Sequence, residues 1–327
     1  MARYEILFAR KFHYLLIKEK KMKRLLILIL ILILSQSGWA RDAGSFATKN
    51  FFQIEEEVQK LFQLENPQNV LVVFDIDNTL LKLPQDFGSE QWFMWQKELI
   101  EKKYPALPAV TDSVVSLLTI QSWIYNLSSM QLVVPDQAQW INALRNSGVS
   151  VITLTSRSLS VHDSTLREIK NNNLSLSTAS DLGLDLEGQP YLPYIKDRPN
   201  ESGLEQEDIS RFKLGEANQV LFDKGVFFTQ GQHKGIMLKT LLARMGKSFR
   251  SIIFIDDRSG HIEAMRLMAQ TIPQDIYSIH FNLSEDWTLP FLKGPKEIVE
   301  NNWCLFSDWL NSNWFLDSSS RIYRSCK

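Results

Sequence analysis

The chain has 327 residues, of which 44% are hydrophobic and 22% are charged, and its formal charge is −1. This balance is typical of a folded globular protein with one large core or two modest ones, and it excludes a chain that is disordered throughout. The sequence has no basic stripe with interleaved aromatic residues, so we expect no binding to nucleic acids.

The N-terminus carries the pattern of a secretory signal peptide. Basic residues at positions 20–24 precede the unbroken Leu and Ile run Leu25–Leu34, and small residues end the segment at Ala40. This order predicts a signal over residues 1–40 that is cleaved after Ala40, with Met22 as an alternative start. We therefore expect an exported protein, periplasmic or secreted. The apolar run is short for a membrane span, so no anchor is expected after cleavage, and an uncleaved anchor is the alternative.

Export would change the charge of the protein and the state of its cysteines. Removing residues 1–40, which hold eight Lys or Arg and two Glu, lowers the formal charge from −1 to −7. The two cysteines, Cys304 and Cys326, could form a disulfide in an oxidising compartment, and two free thiols are the alternative.

The elements predicted after the signal alternate between helices and buried strands. They are a helix over residues 50–64, a strand over 70–74, a helix over 136–146, a strand over 149–155, a hairpin over 219–229, a helix over 234–245, and strands over 251–255 and 276–281. This alternation predicts an α/β fold with a doubly wound, mostly parallel sheet.

Two segments interrupt the alternation. Residues 84–147 are predicted to be a helical insertion with a return helix, between the core segments 41–83 and 148–327. Residues 171–218 are polar and weakly periodic, which predicts an irregular insertion within the core. A packing helix is predicted from the tail residues that share one helical face, Trp303, Phe306, Leu310 and Trp314.

Two carboxylates follow the first buried strand at its carboxyl end. Asp75 and Asp77 come directly after the run Val70–Phe74. In open α/β sheets, ligands bind outside the carboxyl ends of the strands. Two like charges at this place favour a divalent cation, or a carboxyl whose raised pKa suits a general acid. Turn and helix-cap chemistry is the alternative explanation for the sequence Asp-Asn-Thr.

Other element ends carry residues that could complete a phosphate site. Thr155 and Ser156 end a buried strand and are followed by Arg157, so this edge has hydrogen-bond donors for an oxyanion. Lys234 opens a predicted helix, where it could bring its charge to a phosphate or to the Asp75 carboxylate. A solvated surface lysine is the alternative.

A second pair of acids ends the predicted strand over residues 251–255. Asp256 and Asp257 would lie near the first pair if the two strands share one sheet edge. Four carboxylates there would repel strongly without a cation. His261 could brace this site or simply begin a helix, and we expect His162 and His233 not to be metal ligands.

Taken in this order, the residues resemble the haloacid dehalogenase superfamily of phosphohydrolases. Its four motifs match as Asp75 to Thr79, Thr155, Lys234, and Asp256 with Asp257. The resemblance covers residues 66–82 and 148–282, and it implies a Rossmann-like core with the helical insertion as a cap. The hairpin before Lys234 and the export signal resemble an exported bacterial branch of unknown function.

The resemblance implies a Mg²⁺-dependent phosphomonoesterase that acts through an aspartyl phosphate on a small phosphorylated substrate. Asp75 would attack phosphorus, and Asp77 would protonate the leaving oxygen and then activate water. Thr155, Ser156 and Lys234 would bind the phosphoryl group. The implied Mg²⁺ ligands are Asp75, the main-chain carbonyl of Asp77, Asp256 and Asp257.

Two other functions remain open from the sequence. One is a non-catalytic protein that keeps the fold and binds a metal or a partner, although no particular protein partner is indicated. The other is a phosphotransferase that passes the same aspartyl phosphate to an alcohol.

The sequence departs from the superfamily's pattern after the last pair of acids. There the superfamily often continues to an Asn that braces the acids, whereas this chain continues with Arg258.

Signal cleavage is directly testable. Mass spectrometry of the exported protein should find Arg41 at the N-terminus, because the small residues before it suit signal peptidase. Recovery of the intact Leu25–Leu34 segment in membranes would instead indicate an anchored protein.

Overall fold

The computed structural model describes residues 42–102, 109–313 and 322–326. The predicted signal peptide, its cleavage site and Trp314 lie outside the described residues. The strands are β1 (Asp42–Thr48), β2 (Val70–Phe74), β3 (Leu81–Lys82), β4 (Gln131–Leu132), β5 (Ser150–Thr155), β6 (Leu221–Asp223), β7 (Val226–Phe228), β8 (Ser251–Asp256) and β9 (Asp275–Phe281). The helices are α1 (Phe51–Phe62), α2 (Glu90–Lys102), α3 (Val114–Leu127), α4 (Gln137–Asn146), α5 (His162–Asn171), α6 (Ala179–Leu182), α7 (Gln206–Arg211), α8 (Lys234–Arg244), α9 (Ser259–Ala269), α10 (Glu285–Lys293) and α11 (Glu297–Asn313).

A seven-stranded sheet runs through the described residues in the order β1-β9-β8-β2-β5-β7-β6. Its strands pair in parallel except β6, which pairs antiparallel with β7. The short strands β3 and β4 form a separate antiparallel pair. The predicted α/β fold with a doubly wound, mostly parallel sheet is therefore confirmed. No helix in the described part of the chain is both long enough and apolar enough to cross a membrane.

The central strand β2 separates two hydrophobic cores. Val70, Val72 and Phe74 face the core that α1 and α4 cover, whereas Leu71 and Val73 face the core that α8 and α9 cover. All five side chains are fully buried, and each contributes about 1.5 to 3 kcal/mol of hydrophobic stabilisation. Helices on both faces explain why this strand is apolar at every position, and why its first polar residue marks its end.

The order of strands reverses at β2. From β2 the chain continues to β5 and β7 on one side, and it then crosses to β8 and β9 on the other side. Such a reversal leaves a crevice at the carboxyl edge, because the connections on the two sides lead away from each other. Asp75 lies at this crevice, one residue beyond β2.

The predicted hairpin is confirmed as β6 and β7. Its two turn residues, Lys224 and Gly225, have φ angles of +48° and +83°, as a two-residue type I′ turn requires. A Cβ on Gly225 would lie 2.3 Å from the Cβ of Leu176, so both the turn and its packing need glycine.

Strand β1 is not predicted from the sequence, and the irregular insertion predicted over residues 171–218 is only part of what that segment forms. β1 has the sequence DAGSFAT, which shows no hydrophobic alternation, and its pairing with β9 along the sheet edge places it there. The segment 171–218 holds two short α-helices, α6 and α7, and a 3₁₀ helix over Pro199–Ser202, within otherwise irregular chain.

The last two helices pack with the helical insertion. A third hydrophobic cluster joins Trp92 of α2 and Leu117 of α3 to Trp303 and Leu310 of α11. The apolar face predicted for the tail is real, and its partner is the insertion. A disulfide links Cys304 of α11 to Cys326 and fixes the neighbouring C-terminal segment to this cluster.

Removing the disulfide should lower the free energy of unfolding by about 3 kcal/mol, because the closed loop of 22 residues restricts the unfolded chain. Urea denaturation of the double variant Cys304→Ala/Cys326→Ala measures this loss, and reduced wild-type protein is the control. Equal stability of reduced and oxidised wild-type protein would contradict the expectation.

Candidate functional site

A buried lysine joins the two acidic strand ends. Lys234 is 1% exposed, and its Nζ lies 2.6 Å from Asp75 Oδ1 and 2.7 Å from Asp256 Oδ2. A solvated surface lysine is therefore excluded. The structure brings together Asp75, Lys234 and Asp256, as the sequence pattern predicted.

The start of α8 places Lys234 at this point. The helix begins at Lys234, and Nδ1 of His233 caps it by accepting a hydrogen bond from the Ile236 amide at 3.2 Å. Gly235 lets α8 approach α9 closely, since a Cβ there would lie 2.6 Å from the Ala264 carbonyl oxygen. The close approach of α8 and α9 brings the lysine to the end of β8.

Asp256 is held by several donors at the N-terminus of α9. The Arg258 amide donates to its Oδ1 at 2.9 Å, and His261 Nδ1 lies 3.0 Å from both of its oxygens. His261 therefore braces the site, and it also lies in the first turn of α9. Of the two alternatives considered from the sequence, the contact with Asp256 supports bracing over a residue that merely begins a helix.

Asp77 is held by a bidentate ion pair. Arg157 donates from Nε to Oδ2 at 2.9 Å and from Nη2 to Oδ1 at 2.8 Å. The Tyr125 hydroxyl, on helix α3 of the insertion, donates to Oδ1 at 3.1 Å. Burial alone would raise the pKa of Asp77, but the charge and hydrogen bonds of Arg157 hold it below its usual value.

The sequence placed Arg157 among donors for an oxyanion, and in the structure the guanidinium is directed mainly at Asp77. The remaining guanidinium contacts run from Nη1 to Thr165 Oγ1 at 2.8 Å and from Nη2 to Met130 Sδ at 3.0 Å. Its side chain is almost completely buried. The sequence alone could not identify Asp77 as its partner, because the two residues lie 80 positions apart.

The two hydroxyl residues after β5 have different environments. Thr155 is buried, and its Oγ1 accepts a hydrogen bond from the Arg157 amide at 3.2 Å, which shapes the loop. Ser156 is half-buried and lines a cavity of about 120 Å³ at the crevice. Other residues that line this cavity are Asp77, Glu90, Tyr125, Arg157 and Arg258. A larger cavity of about 740 Å³ beside α2 and α11 holds none of the clustered acids.

Asn78 connects the loop after β2 to two helices. It adopts a left-handed conformation with φ of +59°, and its Nδ2 donates to Glu90 Oε2 at 3.0 Å. Trp287 of α10 donates from Nε1 to Asn78 Oδ1 at 3.0 Å. Glu90 also accepts a hydrogen bond from Arg258 at 3.3 Å. Glu90 gives no signal of this position in the sequence, since an acid in the first turn of a helix is ordinary.

The buried ion cluster shifts the pKa values of its two central acids in opposite directions. Burial raises the pKa of Asp75 to about 6, although Lys234 opposes this rise. Burial would also raise the pKa of Asp256, but Lys234 and His261 lower it to about 2. Both acids are therefore mainly ionised at neutral pH, with Lys234 as their shared counter-ion.

Two further acids in the cluster lack a strong counter-ion. Burial, then the charges of Asp77 and Asp75, raise the pKa of Glu90 to about 8. Burial and the charge of Glu90 raise the pKa of Asp257 well above its usual value. Ser284 donates a hydrogen bond to Asp257 Oδ2 at 3.0 Å. The other oxygen of Asp257, Oδ1, is buried and has no partner among the described residues.

The charge balance of the described cluster suits a divalent cation. Counting His as neutral, five carboxyl groups face three cationic side chains, so two positive charges are missing. The acids are Asp75, Asp77, Glu90, Asp256 and Asp257, and the cations are Arg157, Lys234 and Arg258. Without a cation, raised pKa values allow Glu90 and Asp257 to keep protons, and a divalent ion could replace both protons.

The geometry also offers ligand atoms for a metal. Single ligand atoms of Asp75, Asp256 and His261 all lie within 4.8 Å of one another. However, His261 Nδ1 already contacts Asp256, which favours its bracing function. Asp257 is not part of this group, although its buried Oδ1 has no partner among the described residues, so its place in the ligand set predicted from the sequence stays a prediction.

Replacing Lys234 should show how much burial of the two acids without a counter-ion destabilises the protein. In metal-free buffer, Lys234→Met should lower the free energy of unfolding by about 3 to 5 kcal/mol at pH 7.5, because two buried carboxylates lose their counter-ion. The difference from wild type should shrink as the pH falls towards 6, because loss of Lys234 raises the pKa of Asp75 in the variant above its wild-type value of about 6, and it should shrink further as the pH falls towards the low pKa of Asp256 near 2.

Urea denaturation at pH 7.5 and pH 4.5 checks this expectation. Lys239→Met is the matched control for the activity measurements described below, because Lys239 is also buried and pairs with Asp208 at 2.6 Å outside the cluster. Equal stability of wild type and Lys234→Met at pH 7.5 would contradict the argument.

Comparison with known proteins gives a family but no activity. No curated protein matches the chain. A family model matches residues 47–314, which include every strand from β2 to β9 and all the clustered residues described above. The chain therefore belongs to the family described as "Protein of unknown function (DUF2608)".

Proposed function

We propose that this protein is an exported, Mg²⁺-dependent phosphomonoesterase that acts through an aspartyl phosphate on Asp75. The observation that carries the proposal is the buried Asp75, Lys234 and Asp256 cluster at the crevice of the sheet. The motif order that resembles the haloacid dehalogenase superfamily gives independent support from the sequence.

Asp75 has the environment that a nucleophile needs. Lys234 binds its Oδ1, and no donor among the described residues reaches its Oδ2. With a pKa of about 6, the carboxyl is mainly ionised at neutral pH. In the first half-reaction Oδ2 forms a bond to phosphorus while the bond from phosphorus to the ester oxygen breaks. Lys234 offsets negative charge beside the reacting group.

Asp77 supplies the proton transfers. A proton passes from its carboxyl to the leaving ester oxygen, which departs as an alcohol. In the second half-reaction Asp77 takes a proton from water, whose oxygen attacks phosphorus and releases inorganic phosphate from Asp75. The Arg157 ion pair lowers the pKa of Asp77 and so favours the base step over the acid step. Aryl esters need the acid step least, and we expect them to be the faster substrates.

The residues present fit the implied Mg²⁺ ion. Asp75, the Asp77 main-chain carbonyl, Asp256 and Asp257 would hold it, and it would supply charge stabilisation for the phosphoryl oxygens. The missing positive charges in the cluster and the unpartnered Asp257 Oδ1 support this fit.

Amide substitutions at the two acids should fail in different ways. Asp75→Asn should abolish turnover and any phosphoenzyme, since an amide cannot form an acyl phosphate. Asp77→Asn should slow hydrolysis of an alkyl phosphate by about 10²- to 10⁴-fold, the usual contribution of general acid–base catalysis. Steady-state rates with and without Mg²⁺, and mass spectrometry of acid-quenched protein, measure both effects.

Asp223→Asn is the matched control, because this buried acid pairs with His162 away from the cluster. It should keep wild-type activity, as should Lys239→Met, whereas Lys234→Met should lose it. Near wild-type hydrolysis by Asp75→Asn would mean that water attacks the ester directly. Metal binding without hydrolysis of any phosphomonoester would favour the non-catalytic alternative, and a phosphorylated alcohol as product would favour the phosphotransferase.

A further inference from the structure

The hydrogen bonds around Asp77 distinguish its two carboxylate oxygens. Oδ1 accepts from Arg157 Nη2 at 2.8 Å and from the Tyr125 hydroxyl at 3.1 Å. Oδ2 accepts from Arg157 Nε at 2.9 Å, and no other described residue donates to it. Each carboxylate oxygen offers about two lone-pair sites. Oδ1 is therefore fully occupied, whereas Oδ2 keeps one free site.

Arg157 is itself held firmly, so the plane of the Asp77 carboxylate is fixed. Nη1 of Arg157 donates to Thr165 Oγ1 at 2.8 Å, and the guanidinium lies 4.8 Å from the centre of the Tyr125 ring. The planar guanidinium matches a carboxylate with two parallel hydrogen bonds. A lysine could keep the charge at this position but not the two-point geometry.

Tyr125 extends this arrangement to the insertion. It lies near the end of α3, is 5% exposed and receives a hydrogen bond from Gln121 at 3.4 Å. Leu118, Gln121 and Tyr125 line the crevice cavity together with Asp77. Helix α3 therefore contributes both to the wall of the cavity and to the orientation of Asp77.

We propose that Tyr125 and Arg157 are positioning residues that leave only Oδ2 of Asp77 for proton transfer. This inference rests on the proposed function. In the first half-reaction the bond from hydrogen to Oδ2 breaks, and the proton joins the ester oxygen as its bond to phosphorus breaks. In the second, a water proton joins Oδ2 while the water oxygen attacks phosphorus. Without the Tyr125 hydroxyl, Oδ1 competes for the same proton in an unproductive direction.

The variant Tyr125→Phe tests the inference with two esters, an alkyl phosphate and p-nitrophenyl phosphate, in Mg²⁺ buffer. The value of kcat/KM reports the steps up to formation of the phosphoenzyme. For the alkyl ester it should fall by about tenfold, the loss expected when one hydrogen bond to a charged group is removed. For the aryl ester it should change less than about twofold, because its leaving group needs little protonation.

Two further variants separate positioning from a general effect on folding. Arg157→Lys should also lose kcat/KM selectively for the alkyl ester, and its loss should be larger than that of Tyr125→Phe. Tyr194→Phe removes a hydroxyl that donates to the Gly215 carbonyl at 3.0 Å, far along the chain from the cluster, and should leave both rates unchanged.

The outcomes are distinct. A selective loss for the alkyl ester in Tyr125→Phe supports the inference. Equal losses for both esters, or no loss, in an otherwise active protein would overturn it and leave the proposed function standing. A wild-type protein that hydrolyses neither ester would overturn the proposed function and the inference together.

Discussion

The ammonium group of Lys234 is the charge on which the carboxyl edge of the sheet depends. Two carboxylates end neighbouring parallel strands in an almost water-free place, where an isolated ion would cost several kcal/mol. A single buried cation within hydrogen-bonding distance of both makes their ionised forms tolerable. The same interaction occupies only one oxygen of Asp75, so the contact that stabilises the sheet edge leaves the other oxygen for the proposed attack on phosphorus.

A second layer of contacts surrounds this cluster and joins the helical parts of the molecule to it. Asn78 accepts a hydrogen bond from Trp287 and donates one to Glu90, so one side chain links α10 and α2 to the loop after β2. Tyr125 links α3 to the same loop through Asp77. Because α2, α3 and α11 share one hydrophobic cluster, a shift of that cluster would move the side chains that hold the loop after β2.

Much of the fold and the main cluster could be predicted from the sequence. Parallel strands bring their carboxyl ends to one edge, so acids at the ends of β2 and β8 had to be near each other once both strands were recognised. Lys234 could be placed because it follows a hairpin and opens a helix. The partners of side chains could not be predicted: Arg157 was expected to face an oxyanion, and only the packed structure shows that Asp77 occupies its donors. Strand β1 and the partner of α11 could not be predicted for a related reason, since each depends on a distant surface: the periodic apolar face of α11 indicates that the helix packs, but not that it packs against the insertion.

The separation of the cluster along the chain has a consequence for how the protein folds. Asp75 lies in the first third of the chain and Asp256 in the last, and β2 reaches β8 only after the chain has made all the strands on the other side. Contacts between such distant segments form slowly, because a long loop must close before they contribute. An incomplete or partly folded chain therefore exposes isolated carboxylates without their cation. The proposed chemistry of the crevice therefore requires a nearly complete fold, so the synthesis of the chain and the onset of the proposed activity would be separate events.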